Sequence, residues 1–219
     1  MKNKKSRIKR KLAIPLLAMA TLGFTANSHA DAIGVYVQAN LGQASASQSK
    51  EIKDWEFDKK DKKDTAFKLA VGYKVIDYFA VELQYADLGE AVHKTVVPGS
   101  FKAEMVSETQ GLGINAVGIL PLGDFSLTAK IGAHQLKNKV TVSFDDYVIP
   151  GDSGKASKTL KKVSPLVGIG ASYNVVAGLD IGLDYERYMN VADKKWKAEG
   201  DYSFKHDIDF VSLSLRYSF

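Results

Sequence analysis

The sequence predicts an all-β fold in which eight antiparallel strands, connected up and down, close into a transmembrane β-barrel. Side chains alternate between apolar and polar along eight segments, as they do on a strand with one apolar face. The connections between these segments alternate between tight and long, which is typical of bacterial outer-membrane barrels. After residue 24, no apolar run approaches the roughly 20 residues that a helix needs to cross a bilayer.

Residues 1–30 have the three parts of a cleaved secretory signal peptide. The first 11 residues carry seven Lys or Arg and no acid, an apolar run follows to Phe24, and Ser28-His29-Ala30 offers small residues for cleavage. This segment carries a charge of +7 against a net +5 for the whole chain, so residues 31–219 have a net charge of −2. We therefore expect a barrel domain over residues 31–219 that does not bind nucleic acid.

The eight predicted strands share the period-two pattern, and the C-terminal strand shows it most clearly. On its apolar face lie Val211, Leu213, Leu215, Tyr217 and Phe219. Its opposite face carries three serines and Arg216. In chain order, the predicted strands cover residues 35–42, 67–75, 79–86, 111–120, 125–132, 167–175, 179–186 and 211–219.

The predicted connections fall into two classes. The tight ones are at residues 76–78, 121–124 and 176–178, and the long ones cover residues 45–65, 89–107, 137–162 and 191–205. In bacterial outer-membrane barrels the short turns face the periplasm and the long loops face the outside. With eight strands, both ends of the barrel domain then face the periplasm.

Alternation alone does not say which face meets the surroundings, because a water-soluble barrel such as a lipocalin places its apolar face inside. Here one face carries ionisable side chains, and the other carries apolar side chains with aromatics near the strand ends. Aromatic girdles belong to the membrane case, so we predict that the apolar face meets lipid. The ionisable residues are Lys68, Lys74, Glu82, Lys130, Asp180, Asp184, Glu186 and Arg216, and the aromatic residues are Tyr73, Phe79, Phe125, Tyr173, Tyr217 and Phe219.

The composition and motifs give no support for an active site. The chain has no cysteine, which excludes disulfides, thiol chemistry and cysteine-based zinc sites. His93 and His206 fall in or beside predicted loops, and His134, near a strand end, has no serine or acid beside it in the sequence. No nucleophile elbow or His-Glu-x-x-His motif is present. We predict that the chain is not an enzyme and holds no metal or cofactor.

Three segments resemble the OmpA-like and opacity-type family of eight-stranded outer-membrane barrels. Residues 72–89 (GYKVIDYFAVELQYADLG) resemble the second turn and third strand of such barrels, and residues 118–127 (GILPLGDFSL) resemble the next hairpin. The ending VSLSLRYSF resembles the family's C-terminal signal for the barrel-assembly machinery. The matching residues of that signal are Leu213, Leu215, Tyr217 and Phe219. The resemblance implies a location in the cell outer membrane, and we expect the transmembrane barrel alone, without the periplasmic peptidoglycan-binding domain of OmpA itself.

Charged residues on the enclosed face form a predicted ion-pair network in the barrel lumen. Eight strands enclose a space that side chains can fill, and charges buried there must be paired. The network residues are Glu82, Lys130, Asp184, Glu186 and Arg216. A structural plug is the first interpretation, and a gated pore, given room by glycines on the inner face, is the second.

The long loops carry the predicted surface contacts. Residues 137–162 hold six Lys against three Asp, and lysines near the outer leaflet could bind lipopolysaccharide phosphates or an anionic polymer. Residues 140–144 keep period two, so this hairpin is predicted to project as a sheet that could add a strand from a partner. The lysines of this prediction are Lys155, Lys158, Lys161 and Lys162.

These features together predict a monomeric barrel that supports envelope integrity and makes adhesin-like surface contacts through its long loops. The expected partners are outer-membrane lipid, lipopolysaccharide, the barrel-assembly machinery and a host or environmental surface ligand. A narrow, porin-like channel for small solutes is the alternative, because the enclosed face is polar.

Overall fold

Eleven β-strands make up the structure, a computed structural model. It describes residues 34–48, 59–61, 63–97, 101–146, 153–192, 195–197, 201–203 and 206–219, so the predicted signal peptide lies outside the described residues. The strands are β1 (Gly34–Gln48), β2 (Lys59–Asp61), β3 (Lys63–Ile76), β4 (Phe79–Val97), β5 (Phe101–Leu122), β6 (Phe125–Asp146), β7 (Ser153–Val176), β8 (Leu179–Ala192), β9 (Lys195–Lys197), β10 (Asp201–Ser203) and β11 (His206–Ser218).

Eight of the strands close into one antiparallel barrel. Around the barrel the order is β1, β3, β4, β5, β6, β7, β8 and β11, and β11 pairs again with β1. Of the short strands, β2 pairs with the far end of β4, and β9 and β10 form a separate two-stranded sheet. No helix within the described residues is long and apolar enough to cross a membrane. The predicted eight-stranded, up-and-down barrel is confirmed.

The three tight turns are where the alternation predicted them. They connect β3 to β4, β5 to β6 and β7 to β8, with two residues outside the strands in each case. Gly178 has a φ of 79°, in the left-handed region that favours glycine. A Cβ there would lie 2.6 Å from the carbonyl oxygen of Ser218, whose amide donates to the Gly178 carbonyl at 2.7 Å. Glycine therefore lets this turn lie against the end of β11.

The apolar side chains of the barrel face outward, as predicted. Leu213, Ile131 and Ile169 are exposed at 68, 66 and 65 %, which would be costly in water but is what lipid requires. The six aromatic residues singled out in the sequence all lie near the tight turns, in one periplasmic girdle. A second girdle near the opposite membrane boundary consists of Phe67, Tyr85 and Tyr185.

Two of the predicted long loops, residues 89–107 and 137–162, are mostly strand, so the sequence placed their boundaries wrongly. The β4–β5 ladder continues to Val97, and the β6–β7 ladder continues to Asp145. Above the membrane both faces of a sheet meet water, so the backbone ladder can continue without the apolar alternation that marks a strand in lipid. Residues 140–144, predicted to be part of a sheet, lie in β6 and pair with both β5 and β7.

A β-bulge in β4 separates the membrane-embedded wall from this projecting sheet. The pairing with β5 shifts between Asp87 and Glu90, and Gly89 has a φ of 75°. The Asp64 carboxylate of β3 accepts a hydrogen bond from the Glu90 amide at 2.7 Å, and Asp87 accepts one from the Gly89 amide at 3.0 Å. Two carboxylates thus hold the backbone donors that the bulge removes from the ladder.

Candidate functional site

A compact cluster of four charged side chains lies in the lumen. The Lys130 ammonium is 3.0 Å from Glu82 Oε1 and 3.6 Å from Glu186 Oε1, and Lys68 forms an ion pair with Glu186. Lys68 and Glu82 are fully buried, and the other two are at most 2 % exposed. Because two cations face two carboxylates, the cluster is neutral, which is the condition for keeping charges out of water.

Neutral side chains complete the hydrogen bonding of the two carboxylates. Glu82 accepts hydrogen bonds from the Tyr36 hydroxyl at 3.1 Å and from the Asn115 amide at 3.1 Å. Glu186 accepts one from the Tyr188 hydroxyl at 2.9 Å. Each carboxylate therefore combines an ion pair with additional donors, the arrangement that makes a buried charge tolerable.

Arg216 and Asp184 belong to the same interior, but neither forms a salt bridge with another of the described residues. Arg216 donates to the Gln38 side-chain oxygen from Nε at 3.1 Å and from Nη2 at 2.9 Å, and its guanidinium lies 4.8 Å from the Tyr36 ring centre. The Gln38 amide nitrogen donates to Asp184 at 3.1 Å, and Asn40 donates to Asp184 at 2.8 Å. Gln38 thus mediates between the arginine and the aspartate.

His134 lies inside the barrel rather than at a strand end open to solvent. It is fully buried, its ring stands edge-on to Tyr188 at 5.3 Å, and its Nε2 is 2.8 Å from Asn115 Oδ1. Among the described residues, its Nδ1 has no hydrogen-bond partner. The ring covers Gly113, where a Cβ would lie 2.2 Å from the ring carbon Cγ. Its contacts are those of a lumen-filling side chain, and its register partner on β7, Ser164, is buried as well.

Apolar side chains close the lumen on both sides of the polar cluster. Along β4 the inward residues are, in order, Ala80, Glu82, Gln84, Ala86 and Leu88, all buried. Towards the periplasm Tyr36, Ala80, Val117 and Ile119 form one buried apolar group. Towards the outside a larger buried group includes Leu88, Leu136, Leu166, Ile208 and Phe210.

Sequence reasoning did not find several members of this interior. Lys68 belongs to the predicted ionisable face but not to the predicted ion-pair network. The prediction also does not include Gln38, His134 or the buried apolar group that contains Ile208 and Phe210. A signal for the apolar group is present, because Ile208 and Phe210 are in phase with the polar face of β11 and out of phase with Leu213. Where apolar residues occupy the inward positions of a strand, the inside of the barrel is packed with apolar side chains.

Three of the four predicted loop lysines have described side chains, and these three fall on both faces of β7. Lys161 has the same parity as the outward residue Val163, whereas Lys158 and Lys162 share the parity of the buried Leu166. The side chain of Lys155 lies outside the described residues. The register with β6 is continuous here, so no bulge brings Lys158, Lys161 and Lys162 to one face.

The four residues of the predicted C-terminal signal all face outward from β11. Leu213, Leu215, Tyr217 and Phe219 are exposed at 68, 51, 42 and 47 %. The rings of Tyr217 and Phe219 meet edge to face, 5.0 Å apart, and the Phe219 amide donates to the Val35 carbonyl at 3.0 Å. This edge of the last strand is where the barrel closes onto β1.

Solved structures of small outer-membrane barrels are similar to this chain in fold. Ail, the attachment invasion locus protein of Yersinia pestis, is 17 % identical with a TM-score of 0.48, over 86 % of this chain and 99 % of Ail. Neisserial surface protein A is 16 % identical with a TM-score of 0.47, over 85 % of this chain and 97 % of that protein. OprG of Pseudomonas aeruginosa is 17 % identical with a TM-score of 0.42, over 86 % and 97 % of the two chains. No curated protein sequence matches the chain.

Residues 30–219 match the family described as OmpA-like transmembrane domain. This match covers all of the residues that the strands occupy, and it agrees with the closed eight-stranded barrel and its outward-facing apolar surface. The chain therefore belongs to the OmpA-like transmembrane domain family and is a protein of the outer membrane.

Proposed function

We propose that this barrel acts through its projecting extracellular sheet, as an adhesin-like surface protein that also contributes to envelope integrity. The observation that carries the proposal is an open strand edge that begins at the membrane boundary and extends above it. Between Leu166 and Val176, β7 pairs with β8, but from Ser153 to Pro165 no described strand pairs with that side of β7. On its other side the same stretch is fully paired with β6.

Local features of the sequence explain why β8 leaves β7 at this height. Asn190 has a φ of 54°, so β8 turns there, and Asp207 of β11 accepts a hydrogen bond from the Asn190 amide at 2.9 Å. Pro165 has no N–H to offer to a ladder at the point where the pairing ends. Above this point, the link between the two strands among the described residues is a long hydrogen bond of 3.5 Å from the Ser164 hydroxyl to the Asn190 carbonyl.

An open edge of this kind is suited to strand addition. Its unpaired backbone groups can receive an extended segment of another protein, and alternate side chains then contribute specificity. Residues 153–165 contain four Lys and no acid. Lysines on an edge strand discourage pairing with identical copies, so the basic edge favours an acidic partner over self-association.

Deletion of residues 145–157 removes residues 153–157, the part of this edge farthest from the membrane, and leaves the membrane-embedded strands intact. We expect adhesion of cells that display the protein to fall to the level of cells without it. The matched control is deletion of residues 193–205, a segment of equal length in the connection between β8 and β11. If adhesion is unchanged by the first deletion, or falls equally with both, the proposed role of the β7 edge is wrong.

A narrow channel is the second candidate function, and the position of Lys130 favours it. The ammonium lies within 3.6 Å of both Glu82 and Glu186, so an exchange of ion pairs within the lumen needs only a small side-chain movement. Against it stand the two buried apolar groups that enclose the polar cluster. Single-channel recording in planar bilayers separates the two candidates, because only a channel gives steady conductance steps that change with Glu82→Gln.

A further inference from the structure

Two lysines lie opposite each other on the outer surface of the barrel wall. Lys137 of β6 and Lys161 of β7 are register partners in the antiparallel ladder. Both side chains are exposed, whereas the neighbours of Lys137, Leu136 and Asn138, are buried at 1 and 2 % exposure. Both ammonium groups therefore belong to the lipid-facing side of the wall.

No described carboxylate neutralises this pair. Lys139, two residues further along β6, lies 3.6 Å from Glu108, but no salt bridge joins Lys137 or Lys161 to an acid within the part of the chain that the structure describes. On its β5 side Lys137 is paired with Gln110 rather than with an acid. Like charges directly opposite in an antiparallel pair repel each other, so an anion between them would be stabilised.

The pair is at the height where the apolar band ends. Below it, the outward positions of the two strands hold Gln135 and Val163, and then only apolar residues down to the tight turns. Tyr85, of the second aromatic girdle, donates a hydrogen bond to the Gln110 side-chain oxygen at 3.2 Å. This bond leaves the Gln110 amide nitrogen available as a donor on the strand next to Lys137. The lysines are thus placed at the headgroup level of the outer leaflet.

We propose that Lys137 and Lys161 form a binding site for a phosphate group of an outer-leaflet lipid, such as the phosphates of lipid A. Opposed side chains in an antiparallel pair start about 5 Å apart at Cβ, so both ammonium groups can reach one phosphate. Their charge of +2 matches a phosphate monoester, and charge-assisted hydrogen bonds of this kind are strong. The lipid source is favoured over free phosphate, because the acyl chains would lie on the apolar wall below, at Ile131 and Val167.

The test measures lipid A binding to the folded protein in detergent micelles. We expect Lys137→Gln combined with Lys161→Gln to weaken the binding of bisphosphorylated lipid A about tenfold. Lys139→Gln is the matched control, since this lysine is on the same face of β6 but is paired with Glu108. Lys161→Glu is a second variant, which should remain folded because it replaces a repulsive pair by an attractive one, and it should also lose binding.

Three results would overturn the proposal. The first is unchanged affinity in the double variant, and the second is an equal loss in Lys139→Gln, which would indicate only a general effect of charge. The third concerns the ligand: lipid A without phosphates binding as tightly as the bisphosphorylated form, or inorganic phosphate displacing it at equal concentration, would exclude a lipid phosphate. The proposed phosphate site does not rest on the proposed adhesin-like function. The deletion of residues 145–157 tests that function and leaves Lys137 and Lys161 in place, so the two proposals can fail separately.

Discussion

The Lys130 ammonium and the Glu82 carboxylate form a buried ion pair inside the lumen, with 3.0 Å between Nζ and Oε1. The two residues come from β6 and β4, two strands apart across β5. Asn115 of β5 stands between them and donates to the same Oε1 at 3.1 Å. The pair thus ties three neighbouring strands together from the inside, in addition to the backbone ladder.

Replacement of Lys130 by Met should destabilise the barrel strongly. Glu82 would then keep the neutral donors Tyr36 and Asn115 at a fully buried position, and removing one partner of a buried ion pair costs about 3–5 kcal/mol of unfolding free energy. Urea unfolding in detergent micelles, followed by far-UV circular dichroism, gives the value. Lys139→Met is the control, because its exposed pair with Glu108 contributes at most about 1 kcal/mol. Equal losses in the two variants would contradict a buried pair.

Gly113→Ala should disturb the lumen from the β5 side. The added Cβ would lie 2.2 Å from the His134 ring, and overpacking of this kind costs about 1–3 kcal/mol. Gly118→Ala on the same strand is the control, since the nearest atom to its Cβ is 3.8 Å away. We expect His134→Ala to restore part of the stability of Gly113→Ala. Absence of this rescue in urea unfolding would show that the ring does not cover Gly113.

Phe210→Ala should open a cavity in the larger buried apolar group of the lumen, which also contains Leu136, Leu166 and Ile208. Phe210 is fully buried inside the barrel, and truncation of a buried Phe costs about 3–5 kcal/mol. If this group also seals the lumen, the variant should pass more current in planar bilayers than the parent. Leu213→Ala, three residues along β11 and facing lipid, provides the comparison and should leave the current unchanged. If the unfolding free energy of Phe210→Ala equalled that of the parent, Phe210 would not be part of the packed core.

Much of the fold could be predicted because lipid imposes a strict pattern on a strand. Along β11, a single residue out of phase would place a serine or Arg216 in hydrocarbon, so the sequence determines the faces and the tight turns. The pattern persists above the membrane at residues 140–144 of β6 but not in β4, so the sequence does not predict the extension of β4 to Val97. Where both faces of a sheet meet water, polar side chains are tolerated at every position of the strand, so no alternation is required.

The lumen contacts could be predicted only in part, because they depend on the stagger of the strands around the barrel. The sequence shows that Arg216 must be enclosed, but not that its partner is Gln38 of β1, which pairs directly with it across the closing ladder. Likewise, Lys68 and Glu186 lie on strands that are not neighbours, and they meet only because the barrel closes. Knowing which residues face inward therefore does not show which of them form hydrogen bonds or ion pairs with each other.

Asn190→Val should destabilise the extracellular end of β8. Its left-handed φ of 54° is accessible to Asn and Gly, but costs a β-branched residue about 1–2 kcal/mol. Asn190→Gly should be nearly neutral, because the hydrogen bond to Asp207 comes from the backbone amide. Amide hydrogen exchange in β8 and β11 gives the local effect. Equal protection in the Val and Gly variants would mean that the strand does not turn at this residue.

The assignment of the two faces of the wall underlies the packed lumen, the lysine pair and the open edge alike. Because the chain has no cysteine, single cysteines at Leu213 and Ser212 can each carry one fluorophore. The direct measurement is the quenching of each fluorophore by lipids that carry a quencher in their acyl chains. Strong quenching at position 213 and weak quenching at position 212 is the predicted result. The reverse order would contradict the account, because it would place the leucine face inside.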